Sequence, residues 1–107
     1  MRIPADAIIP PEKLTRYLLV PRPWDDKSRF LGQAGFSLSD PASLLNAIRE
    51  TAARFDAIED GTNDYGAFFR VEGELTGPDG RSLQVVIIWL QWKIDGTFHF
   101  VTLKPRK

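Results

Sequence analysis

Residues Tyr65 to Lys104 read YGAFFRVEGELTGPDGRSLQVVIIWLQWKIDGTFHFVTLK, and the two turns inside this stretch decide how its strands pair. Gly77-Pro78-Asp79-Gly80 and Asp95-Gly96 are both strong hairpin signals, and the residues beside them alternate or run apolar as strands do. With Pro78-Asp79-Gly80 as a three-residue loop and Gly80 left-handed, Gly77 faces Arg81. Counting back pairs Leu75 with Leu83, Gly73 with Val85, Val71 with Ile87 and Phe69 with Trp89. All of these are apolar or glycine, and a slip of one residue would invert both faces. A two-residue turn at Asp95-Gly96 pairs Trp92 with His99, Leu90 with Val101 and Ile88 with Leu103.

This pairing sorts the side chains onto two faces. The first holds Ala67, Phe69, Val71, Leu75, Leu83, Val85, Ile87, Trp89, Phe98 and Phe100, and is assigned to a helical layer. The second mixes Val86, Ile88, Leu90, Trp92, Val101 and Leu103 with Arg70, Glu72, Glu74 and His99. Few elements are left to cover its apolar part, and an open patch of that kind marks a binding site or a partner interface.

Upstream, Pro10-Pro11 opens a first helix with Leu14, Tyr17 and Leu18 on one face before Pro21 stops it. Pro21-Arg22-Pro23-Trp24 reads as an extended connector. Asp25 or Asp26 then caps a second helix carrying Phe30, Leu31 and Ala34, with Gly35 as terminator. Asp40-Pro41 starts a third, which puts Leu44, Leu45, Ile48, Ala52 and Phe55 on one stripe and Asn46, Arg49 and Glu50 outside it. Phe55 to Glu59 is a short strand ended by Asp60-Gly61-Thr62-Asn63. The expected fold is α+β: two to three short N-terminal helices on one face of a three- to four-stranded antiparallel meander, with residues 1–107 as a single globular domain.

Composition narrows the function classes. Fourteen Lys and Arg balance 14 Asp and Glu, so no global field draws nucleic acid or an anionic membrane. Cysteine is absent and histidine occurs once, which leaves no thiolate site and argues against a histidine-based metal centre. No metal or cofactor is called for. The amino terminus lacks an apolar leader, and the longest apolar run, Val85 to Leu90, is far short of a membrane span. The expected location is cytoplasmic, with no membrane partner.

Two groups of residues carry candidate chemistry. Arg70, Glu72 and His99 share a face, but Glu72 lies level with Val86 and His99 with Trp92, about 20 Å apart along the strands at roughly 3.3 Å per residue. They read as a solvated stripe. At the other end His99 has Trp92 opposite and Gly66 level with it, which brings Asp64 and Tyr65 near. Lys27 or Arg29 would reach from the helical layer. His99, Asp64, Tyr65 and Lys27 are thus the catalytic candidates: a proton carrier, its polar neighbours and a cation for phosphate. Arg29, Arg70, Glu72, Trp92, Ile88, Leu90, Val101 and Leu103 are the binding candidates. Trp24 and the basic Lys104-Pro105-Arg106-Lys107 tail are weaker candidates for nucleic acid.

Several short elements recur in a particular order: Ile3-Pro4, Lys27-Ser28-Arg29-Phe30-Leu31 leading to Ala34-Gly35-Phe36, Asn63-Asp64-Tyr65-Gly66, Leu75-Thr76-Gly77-Pro78-Asp79-Gly80-Arg81, Trp89, and Phe100-Val101-Thr102. Together they resemble a family of small uncharacterised bacterial proteins known only as a domain of unknown function. The resemblance covers most of the chain. It implies a toxin-type or toxin–antitoxin-like setting and a fold like that of barnase, colicin and RelE-type ribonucleases. Two positions depart from the family pattern: Asp26 stands where the family has histidine, and His99 where it has arginine. The resulting expectation is an interaction module that binds a partner protein or a second copy through the open sheet face. The alternative is a metal-independent ribonuclease using acid–base chemistry on RNA.

Overall fold

In a computed structural model, described for residues 1–21, 23 and 27–106, three helical segments precede a four-stranded sheet. The α1 segment starts as an α-turn, Pro11–Lys13, and passes into a π-helical turn, Leu14–Leu18. The wider turn sets Leu14 and Leu19 one above the other, with the Leu19 amide donating to the Leu14 carbonyl at 3.0 Å. Leu14, Leu18 and Leu19 are all buried. The α2 helix spans Lys27–Gly32 and α3 spans Pro41–Arg54. The expected Asp25 or Asp26 cap, Trp24 and Lys107 lie outside the described residues.

The α3 helix begins at Asp40-Pro41 as expected, although the Asp40 side chain accepts from the Ser43 hydroxyl rather than from the helix amides. Leu44, Ile48 and Ala52 are buried along the anticipated stripe, joined by Ala47 and Thr51. Arg49, read as outward, instead clamps the N-terminal segment: its guanidinium donates to the carbonyls of Ala5 and Ala7 at 3.1 and 2.9 Å. That segment buries Ile3, Ala7 and Ile9 in the core. Its Met1 carbonyl accepts from the Ala57 amide at 2.6 Å, and Ile8 exchanges hydrogen bonds of 2.8 Å with Phe98 and Phe100.

The strands β1 (Ala57–Thr62), β2 (Gly66–Thr76), β3 (Ser82–Trp92) and β4 (Phe98–Pro105) lie in the order 1-2-3-4, all antiparallel. The β2–β3 register is the one expected: Leu75–Leu83, Gly73–Val85, Val71–Ile87 and Phe69–Trp89. Gly80 is left-handed at φ 87°. The first strand runs three residues past the expected Glu59, because a pairing irregularity between Glu59 and Thr62, with Gly61 at φ 94°, lets it continue.

The β3–β4 hairpin corrects the expected register. Its loop takes four residues, Lys93 to Gly96, rather than two: the Trp92 amide donates to the Thr97 carbonyl and the Gly96 amide to the Trp92 carbonyl, both at 2.8 Å. His99 therefore pairs with Leu90, not Trp92, and Gln91 with Phe98. Because side chains alternate with period two, a shift of two leaves the faces unchanged. A bulge then follows between the pairs Trp89–Phe100 and Ile88–Thr102. The extra residue, Val101, reverses the alternation, so Leu103 turns inward and is fully buried. Leu103 thus belongs to the core and not to the open face. The first face, from Phe69 to Phe100, packs against the helices and the N-terminal segment as one core.

Candidate functional site

The other face of the sheet has two halves. On the β1–β2 side, Arg70 holds Glu72 at 3.0 Å and Asp60 at 3.3 Å, and Arg106 reaches Glu72 at 3.4 Å. These charges neutralise one another, and a surface network of this kind is worth about 1 kcal/mol or less per pair. Arg70 and Glu72 are therefore engaged within the fold.

The second half lies toward the β3–β4 loop, where large apolar side chains stay in solvent. Tyr65 is 74% exposed, Trp92 40% and Ile94 89%. With Asp64, Leu90 and Lys93 they line a groove of about 820 Å³. The backbone around it is firmly held. Asn63 Oδ1 accepts from the amides of Tyr65 and Gly66 at 2.8 and 3.0 Å, and the Lys93 amide donates to the Tyr65 carbonyl at 2.8 Å. Asn63, not Asp64, fixes this turn. Gly66 is needed because a Cβ there would collide with the Gln91 carbonyl.

Trp92 carries His99 on its ring, with centroids 3.6 Å apart and planes at 12°. His99 Nε2 lies 2.7 Å from the Thr97 hydroxyl, which donates to Asp95 Oδ1 at 2.7 Å. The Thr97 amide donates to the same oxygen at 3.0 Å. The Thr97 amide and then its hydroxyl, with a smaller contribution from the His99 charge, hold the Asp95 carboxyl below its ordinary 3.8. The sequence marks neither Asp95 nor Thr97 as a site residue, since Asp95-Gly96 reads there only as a turn.

The four catalytic candidates are not brought into one constellation. Lys27, at the start of α2, gives its ammonium to Thr102 Oγ1 at 3.0 Å and Tyr17 OH at 3.5 Å, beside the Tyr17 ring. His99 is held by Thr97 and Trp92, while Asp64 and Tyr65 stand in the groove wall. Among the described residues no hydrogen bond or ion pair joins any two of the four. Arg29 is on the exposed side of α2, Ile88 and Leu90 are half-buried on the open face, and Val101, at the bulge, is half-buried beside Pro10, Lys13 and Tyr17. Among the described residues no group of three or more metal-ligating side chains converges, and no helix is long and apolar enough to cross a membrane.

Among curated proteins no match is found. Among solved structures, a chain from a contact-dependent growth inhibition toxin–immunity protein complex of Klebsiella pneumoniae 342 is similar in fold. Its TM-score is 0.70 at 18% identity, over 94% of this chain and all of that one. A family profile described as Domain of unknown function (DUF6883) matches residues 4–107, and the chain belongs to that family.

Proposed function

We propose that the chain is a small interaction module that docks a partner protein on the open side of its sheet, in a pair of the toxin–immunity kind. One observation carries this reading: Tyr65, Leu90, Trp92 and Ile94 line a large groove in solvent, on a face that the helical layer does not use. A water-facing sheet side normally alternates to polar residues. Here it presents aromatic and aliphatic anchors over an ordered backbone, the composition of an interface hot spot. The fold likeness to a chain of a toxin–immunity complex supports the choice of a protein as occupant. Balanced charge supports it too, because a nucleic-acid ligand is usually met by a basic field.

Size-exclusion chromatography with light scattering, on the chain alone and co-expressed with the product of the neighbouring reading frame, tests the proposal. A stable complex is expected, and Trp92→Ala should weaken it by about 30-fold while the variant stays folded. A chain that stays monomeric beside its neighbour, or binds it equally well without Trp92, would overturn the reading.

A second reading, cleavage of RNA, has one observation in its favour. The Lys27 ammonium lies among the Tyr17 and Thr102 hydroxyls, and those two residues line a groove of about 530 Å³ together with Lys13 and the carboxylate of Glu12. These are donors suited to a phosphate. Incubation of high concentrations of pure protein with total RNA, beside Lys27→Ala and His99→Ala, decides it. RNA left intact would remove this second reading.

A further inference from the structure

Four side chains at the tip of the β3–β4 hairpin form one line of contacts: Asp95, Thr97, His99 and Trp92. A threonine hydroxyl has one hydrogen to donate, and a carboxylate has none. Asp95 Oδ1 receives both the Thr97 amide, at 3.0 Å, and the Thr97 hydroxyl, at 2.7 Å, as an ionised carboxylate does. The hydroxyl hydrogen is thereby engaged, and the oxygen offers His99 only a lone pair. At 2.7 Å from that oxygen, Nε2 has to be the donor. In the neutral ring the proton therefore sits on Nε2, and Nδ1 is a bare acceptor. The same bond fixes the rotation of the imidazole that lies flat on the Trp92 indole.

We propose that Thr97 is the positioning residue of the groove: through His99 it holds Trp92 in place, and it leaves His99 Nδ1 to accept from an N–H or O–H group of the docked protein. The benefit lies in ordering a large side chain before the partner arrives rather than on binding. The choice of occupant rests on the docking reading above; the proton assignment does not.

The experiment is a long-range 1H–15N correlation spectrum of the labelled full chain at alkaline pH, where an imidazole is neutral. The wild type should show the Nε2–H tautomer. Thr97→Ser should keep it, whereas Thr97→Val should lose the preference and broaden the Trp92 indole N–H signal while the amide spectrum stays folded. A wild-type Nδ1–H tautomer, or Thr97→Val with unchanged His99 and Trp92 signals, would overturn the proposal. With the neighbouring reading frame's product as probe, Thr97→Val should bind about tenfold more weakly and Thr97→Ser about as well as wild type. If the tautomer is as stated but Thr97→Val binds like wild type, the positioning role is refuted while the docking reading stands. If the wild type binds nothing, the docking reading is refuted while the proton assignment stands.

Discussion

Gly77 and Gly80 flank one loop, and the sequence suggests one reason for both: turn geometry. The structure separates them. Gly80 sits at φ 87° with open space where a Cβ would go. Gly77 is not left-handed; it is small because the Ala34 carbonyl and methyl lie against it, in a contact across the fold that no local pattern encodes. Gly77→Ala should therefore cost about 3 kcal/mol, as overpacking does. Gly80→Ala should cost about 1 kcal/mol, the penalty of a left-handed alanine. Urea denaturation of the two variants measures the difference. Thr51 shows the same limit of sequence reading. It lies on the buried side of α3, and its hydroxyl oxygen is 2.9 and 2.8 Å from the Ala47 and Glu74 carbonyls, with one hydrogen to donate to either. Thr51→Val keeps the shape but removes this donor from a part-buried carbonyl, so a loss of about 1 kcal/mol is expected in the same assay.

Elements were most legible where a repeat was long. The β2–β3 register follows from eleven-residue strands with matched apolar positions, and α3 from its start signal and stripe. The β3–β4 hairpin departs from the expected register because Asp95-Gly96 is also compatible with a four-residue loop, and because a single bulge at Val101 is invisible in the pattern Phe98 to Leu103. The N-terminal segment is silent in the sequence for a different reason. Prolines 4 and 10 bracket too few residues to show a period, yet it crosses the core between β1 and β4. Arg49→Ala should free it, and hydrogen exchange should then quicken at the Ile8 and Phe100 amides while the β2–β3 amides keep their protection. The hairpin tip also has a pH signature. The folded carboxyl of Asp95 titrates below 3.8, so its bonds to Thr97 contribute stability above that value and lose it as pH falls through the lower folded one. Carboxyl 13C titration should place the Asp95 midpoint below the ordinary range, and Thr97→Val should move it upward.

At the scale of the whole molecule, the sheet has one face committed to the core and one divided between an ionic network and an apolar groove. That division was partly legible: alternation placed Leu90, Trp92 and His99 together, and the error in register did not disturb it. What alternation could not show was Leu103 turning inward, Arg70 and Glu72 closing on each other, or Lys27 finding Thr102 rather than His99. Each of these depends on a bulge or on a contact between distant elements. The central claim is that the groove side is where a partner protein sits, and chemical-shift mapping with the neighbouring reading frame's product tests it most directly. Perturbations concentrated on Tyr65, Leu90, Trp92, Ile94 and His99 are predicted; perturbations confined to α3 and the N-terminal segment, or none at saturating partner, would contradict it.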